Sequence, residues 1–453
     1  MQIDPWRRMS CAPPSAATAA SKRPPSRSPI TDPLAPLADD ATWHTTVEAF
    51  RARAPRRAER IADYERLIET GAHHAIAEAV LAETYTPNPP AEGWLNKADG
   101  RKKRIFRYPP ADELLFRTVN RLLQPAALAE ASPWCRSFLP GGGARTSFRA
   151  VLADAHLADK AVLRFDVRDY FNSIDVDDLL RALPEPLDRG PTGALLANGL
   201  RERRVTRDGV VVEGHQKGVM AGTPIAPMLA TLYLRDLDDE VASHPNVTYA
   251  RYSDDILVAA PTADIAGLTE LVRARITERG LVVNEAKSSC AQPGEPWDFL
   301  GFRHADGRIG LAPITEHKLK TRATRLARSL LRWRDRVDAS PDRVVGAFVR
   351  KTNRRLYGVP TERADFSWAT WFLPMLDDPT PLGQLDAHVQ REARYAATGK
   401  RTPRARATVA YGALTEAGHV PLVAAYWAMR DSTSSYNALI ERRVARGCRP
   451  RSA

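Results

Sequence analysis

Tyr249-Ala250-Arg251-Tyr252-Ser253-Asp254-Asp255-Ile256-Leu257-Val258-Ala259-Ala260 is the stretch whose reading decides the fold. Aromatic and apolar residues lead into two adjacent carboxylates and an apolar run leads out, so the pattern predicts a β-hairpin with Asp254 and Asp255 at its tight turn. Adjacent acids between buried strands repel each other and are costly to desolvate. A neutralising cation accounts for the pair, and hard divalent ions such as Mg²⁺ choose carboxylate oxygen while keeping positions open for phosphates. A solvated Asp-Asp turn is the plainer alternative. Segments further out decide between them.

Upstream, Ala161 to Phe165 reads as a buried strand with Asp166 at its end. A lone acid there often caps a helix instead, and Val167 to Ile174 does turn towards a helical pattern with Asp177 near its start. Roughly ninety residues separate Asp166 from the acidic pair, so only tertiary folding can join the three. Between them lie a short strand at Val210-Val211-Val212 and a Gly/Pro-rich loop from Gly214 to Pro227 that includes Ala221 and Gly222. Small residues let a large planar substrate approach the backbone. Met228 to Leu234 follows as an apolar helix.

Further out, apolar residues recur at helical spacing from Thr42 to Ala82, predicting two or three helices. An Asp99-Gly100 turn precedes Lys102, Lys103 and Arg104, which alternate into Ile105 and Phe106 as a strand with a cationic face, suited to a triphosphate or a template backbone. Helices are expected over Asp112 to Leu128 and, capped by Thr146, over Ser147 to Ala158. Beyond the hairpin come a helix from Asp264 to Arg279, a polar segment with Asn284, Glu285 and Lys287, and a compact turn at Phe299-Leu300-Gly301-Phe302. Glu316 to Arg336 predicts a helix with eight Lys or Arg residues, among them Lys318, Arg322 and Arg325, and an apolar seam of Leu326, Leu330 and Trp333. Such a helix fits backbone tracking. Tyr411 to Trp427 adds a helical hairpin.

The chain has 453 residues and a formal net charge of +12, with Arg far outnumbering Lys. This balance points to a polyanionic partner such as nucleic acid, although a GC-rich genome also enriches Arg. Cys11, Cys135, Cys290 and Cys448 are far apart and show neither disulfide nor zinc spacing, which fits a reducing cytoplasm. The start lacks the apolar core of a signal peptide, and no apolar run reaches the ~18 residues of a membrane span. Residues 1–41 hold eight prolines among Ser, Ala, Thr and Arg and are expected to be a disordered basic arm.

Taken together, Phe165-Asp166-Val167-x-x-Tyr170-Phe171-x-Ser173-Ile174, Tyr252-Ser253-Asp254-Asp255, the Lys287 segment and Phe299-Leu300-Gly301-Phe302 resemble the reverse transcriptase palm in order and spacing. The resemblance covers residues 97 to 310, with a thumb like that of group II intron proteins extending it to about 430. It implies an α+β right-hand polymerase, with fingers and palm built from antiparallel sheet plus helices and an α-helical thumb. The expected division is a basic arm at 1–41, N-terminal helices and fingers at 42–160, palm at 161–310, and basic helical thumb with C-terminal helices at 311–453.

The resemblance also implies roles. Asp166, Asp254 and the backbone carbonyl of Val167 would hold two Mg²⁺ ions, for which Mn²⁺ can substitute, with Asp255 at the same cluster. Phe171 matches the aromatic that excludes a ribose 2′-hydroxyl, Arg104 a triphosphate-binding Arg, Lys287 a lysine that protonates pyrophosphate, and Phe299 to Phe302 a primer grip. RNA template, dNTPs and DNA product follow as partners, and a homo-oligomer is left open. The family's usual Gln and Ser in the nucleotide loop are Ala221 and Ala226 here, and an expected Arg is Leu139. No His-rich or Cys-rich endonuclease segment follows the thumb region. These departures resemble the bacterial unknown-group and abortive-infection reverse transcriptases, which implies a partner noncoding RNA and a role in antiphage defence. A template-independent or protein-primed polymerase and a maturase-like RNA-binding protein are the alternatives.

Overall fold

The computed structural model describes residues 32–96, 102–138, 141–214, 217–358 and 367–448. The N-terminal arm through residue 31, the Asp99-Gly100 turn and Leu139 lie outside them. Residues 32–41, expected to belong to the disordered arm, instead enter the fold. Leu34 and Leu37 are buried, Trp43 Nε1 donates to the Leu37 carbonyl at 2.9 Å, and Asp32 accepts from Thr192 Oγ1 at 2.8 Å. Proline content averaged over the whole segment hid two leucines that reach the core.

Three helices follow, Asp40–Arg53, Ala58–Glu69 and Ala72–Leu81. Strands β1 (Ala91–Asn96) and β2 (Lys102–Arg107) pair antiparallel, and β1 meets a later strand, Arg204–Arg207, in parallel at Ala91 and Thr206. Helix Pro110–Glu130 packs against the first two of the N-terminal helices. The next helix is Ala144–Leu152, earlier and shorter than Ser147 to Ala158. Gly143 rather than Thr146 stands at its N-cap. The chain beyond it turns away where the Asp154 carboxylate accepts from the His156 amide and from Lys160 Nζ, an acid competing for backbone that would otherwise stay helical.

The central sheet is made by β3 (Ala161–Asp166), β6 (Thr248–Tyr252), β7 (Asp255–Ala260) and β8 (Ser289–Ala291), ordered β6-β7-β3-β8 with every pair antiparallel. Between them in the chain, β4 (Arg204–Arg207) and β5 (Val210–Glu213) complete the sheet with β1 and β2. A third sheet follows, β11-β10-β9, from β9 (Trp297–Phe299), β10 (Phe302–Ala305) and β11 (Arg308–Leu311).

Side chains alternate across a strand, and the central sheet uses both faces. Leu163, Phe165, Ile256 and Val258 enter one core with the N-terminal helices. Val162, Leu257 and Ala259 enter a second core with Phe302, Leu319 and the C-terminal helices. This two-sided burial explains why β7 reads as an unbroken apolar run rather than an alternating one.

Helix Pro313–Val337 is 25 residues long. Its buried line is Thr315, Leu319, Ala323, Ala327 and Leu330, with Leu326 and Trp333 half-buried beside it, so the seam is rotated from the expected one. The two alanines give little bulk where this helix meets Thr380–Thr398, and Arg334 Nη1 donates to the Ala397 carbonyl there at 2.7 Å. Lys318, Arg322, Arg325, Arg328, Arg332 and Arg336 are exposed along the other side. Among the described residues, no helix is long and apolar enough to cross a membrane.

Candidate active site

The antiparallel register sets the site. Asp166 is the last residue of β3 and pairs with Asp255, the first of β7, so the turn joining β6 to β7 lies beside the end of β3. The Val167 amide donates to the Asp254 carbonyl at 3.1 Å, which fastens the two segments. Tyr252 pairs with Asp255 across a two-residue turn, and Ser253 takes a φ of 62°. A left-handed residue of this kind suits a tight hairpin and costs a non-glycine residue about 1–2 kcal/mol.

Each acid sits in a different field. Burial pushes the Asp254 carboxyl up, Asp166 adds repulsion, and Lys287 and Lys103 pull it back. Burial also pushes Asp255 up, opposed by Arg164, whose Nη2 donates to Asp255 Oδ1 at 3.2 Å. Asp166 accepts from Asn284 Nδ2 and Lys287 Nζ, both at 2.6 Å, and its carbonyl accepts from the Asn284 amide at 2.7 Å. Among the described residues, the ligand atoms of the three acids do not all come within 4.8 Å of one another. Like charges spread, and two of the acids lean on cations of the chain itself. Hard oxygen donors whose burial and mutual repulsion penalise ionisation fit a divalent cation such as Mg²⁺.

Strand alternation divides the basic residues of β2. Lys103 Nζ stands 5.3 Å from the Phe171 ring centroid and its field reaches Asp254. Arg104 belongs to the opposite face, where Nε donates to Glu92 at 2.7 Å and Nη2 to the Gly214 carbonyl at 2.6 Å. Arg104, the residue expected to take a triphosphate, is paired with Glu92 here, while the charge of Lys103 bears on Asp254. Lys102 is exposed.

The loop expected to face the nucleotide is fixed by backbone. Phe106 N donates to the Ala221 carbonyl at 2.8 Å, and Val219 N to the Phe171 carbonyl at 2.8 Å. Gly218 lies so close that a Cβ would meet Asn172 Cα and the Phe171 carbonyl oxygen at 2.4 Å. Gly222 is exposed, whereas Ala221 and Ala226 are buried. The two alanines therefore fill packing positions in this structure.

The Phe299 to Phe302 turn is built from Leu300 and Gly301, both at positive φ. The Gly301 carbonyl accepts from the Ala312 amide and from Thr315 Oγ1, so the turn is anchored at the start of the basic helix. Lys318, Arg322 and Arg325 lie further along that helix.

Two features escaped sequence reading. Phe138, half-exposed, sits 6.1 Å from Phe171 and 6.2 Å from Tyr252 by ring centroids, making an aromatic floor beside the acids. No periodicity marks it, since it stands in a turn at φ 59°. Beneath the hairpin, Arg251 is wholly buried and doubly bonded to Asp238 at 2.7 and 2.6 Å. It also donates to the carbonyls of Thr231 at 2.8 Å and Ser253 at 3.2 Å. Burial works to discharge the guanidinium and Asp238 outweighs it, holding Arg251 well above its ordinary value. The signal was an Arg at a buried strand position, which only a matching buried acid permits.

Acids from two distant segments, a lysine bonded to Asp166, a cationic strand and a cluster of aromatic rings thus gather near one end of the central sheet. Residues 101–304 match the family model for reverse transcriptase (RNA-dependent DNA polymerase), so the chain carries a reverse transcriptase domain and is by class an RNA-directed DNA polymerase. Its N-terminal helices and its helical C-terminal part lie outside the match. A search of curated proteins finds no match to the chain.

Proposed function

We propose that this domain extends a primer 3′-hydroxyl with dNMPs along a partner noncoding RNA, and that it serves antiphage defence. The reading rests on one observation, the β3–β7 register that brings Asp166 and the Asp254-Asp255 turn to one end of the central sheet. In this reading residues 42–160 supply fingers, 161–310 the palm and 311–453 the thumb.

Asp166, Asp254, Asp255 and the Val167 carbonyl would hold Mg²⁺ or Mn²⁺. The bound metal would supply activation of the attacking hydroxyl and stabilisation of the leaving pyrophosphate. The residues around it do the rest. Lys287, which donates to Asp166, would give a proton to pyrophosphate. Lys103 brings positive charge to the triphosphate. Phe171, held in place by the Val219 amide and Gly218, limits the sugar to one without a 2′-hydroxyl. The 299–302 turn seats the primer end, and Lys318, Arg322 and Arg325 follow the duplex backbone as phosphate contacts, which carry affinity without sequence.

The burial of Ala221 and Ala226 gives no separate support to untemplated synthesis. In the test, Asp254→Ala loses Mg²⁺-dependent dNTP incorporation on RNA by roughly 10³-fold or more, with far-ultraviolet circular dichroism unchanged. Incorporation that persists in the variant overturns the catalytic reading. Nucleic acid co-purified with wild type and with the variant identifies template and product. An unchanged phage panel after deletion of the gene and its adjacent RNA removes the defence role alone.

A further inference from the structure

Away from the acidic turn, three side chains of the N-terminal helices converge. Asp40 opens helix Asp40–Arg53, yet the capping bond is made by Asp39, which accepts from the Ala41 amide. The Asp40 carboxylate is thereby left for other partners. His73 and His74 lie in the first turn of helix Ala72–Leu81. Their Nε2 atoms stand 2.9 and 2.6 Å from the same Asp40 Oδ1, and one ligand atom from each of the three residues lies within 4.8 Å of the others.

Successive helical side chains point about 100° apart, so two adjacent histidines meeting on one oxygen is not the default of helix geometry. The rings are 4.0 Å apart. Trp43 packs against His73 edge-on at 5.6 Å and fixes its ring. His73 Nδ1 faces the Leu67 carbonyl at 3.4 Å. A neutral imidazole has a single N–H for these two acceptor oxygens. With that hydrogen on Nδ1, the Nε2 lone pair aims at the space shared with Asp40 and His74, which is how a backbone carbonyl orients a metal-binding histidine.

We propose that Asp40, His73 and His74 form a binding site for a divalent transition-metal ion of the zinc class, with water completing the coordination. Two imidazole nitrogens and one carboxylate suit Zn²⁺, in contrast to the all-oxygen acids of the turn, which suit Mg²⁺. The ion would clamp the first N-terminal helix to the third, at residues outside the polymerase family match.

The test uses the full-length protein, stripped with a chelator and dialysed against Zn²⁺ alone. Wild type retains about one equivalent, as a formed site does, and gains Tm on zinc addition because the ion binds the folded state. Asp254→Ala retains the same equivalent, which separates this site from the acidic turn. His74→Ala and Asp40→Asn change side chains that are 60% and 58% exposed, so folding survives. Both variants drop to background retention, lose the zinc-induced rise in Tm and lose the visible absorption that Co²⁺ gives in wild type, while Mg²⁺-dependent incorporation is unchanged. Equal retention in wild type and the two variants, no retention in wild type, or retention abolished by Asp254→Ala overturns the proposal.

Discussion

The β6–β7 hairpin carries charge at two places, and they are handled in opposite ways. On its underside, Arg251 and Asp238 form a buried pair with every contact satisfied from helix, turn and strand. At its tip, Asp254 and Asp255 are pushed towards protonation by burial and by neighbouring acid. Balanced charge in a core builds structure. Unbalanced charge a few residues away is what a bound ion or substrate would complete.

The largest effect expected from this contrast is kinetic, the loss of incorporation in Asp254→Ala with the fold intact. Next comes Arg251→Gln, which leaves Asp238 buried without its partner and costs about 3–5 kcal/mol of stability. Denaturant unfolding reads it, and a normal midpoint with lost activity would mean that Arg251 acts at the turn rather than in the core.

A third effect is a pH dependence. The folded-state pKa of Asp254 is raised, so the folded chain holds a proton that the unfolded chain has released. Stability therefore falls as pH rises from the ordinary Asp range through the raised value. In divalent-free buffer, Asp254→Asn has a higher Tm than wild type near neutral pH, and the gap closes as pH drops below the ordinary Asp range. Added Mg²⁺ raises the Tm of wild type more than that of the variant.

The smallest effects separate two neighbours on β2. Lys103→Ala raises the KM for dNTP roughly tenfold, the scale of one lost charge-assisted contact, and leaves stability alone. Arg104→Ala costs about 1 kcal/mol of stability and leaves KM near wild type. A reversed pattern would return the triphosphate to Arg104.

Much of the central sheet was legible because its strands carry local signals. Ala161 to Phe165 and the two arms of the hairpin are apolar runs of strand length with acids at their ends, and the structure pairs them end to end. Lys287 was singled out only through the family resemblance, and it donates to Asp166. What stayed hidden depends on partners remote in the chain. The commitment of Arg104 requires Glu92 and Gly214, the aromatic floor requires Phe138 to come from a turn, and the seam of the basic helix depends on which face Thr380–Thr398 meets. Composition misled at residues 32–41, where proline content outweighed Leu34 and Leu37.

Strand β7 is a partition wall with a room on each side. Ile256 and Val258 bear on the core shared with the N-terminal helices, while Leu257 and Ala259 bear on the core of the C-terminal helices. Asp255 stands at the end of this shared wall, so the six residues of β7 tie the acidic turn to both cores at once, although neither set of helices contributes an acid to it.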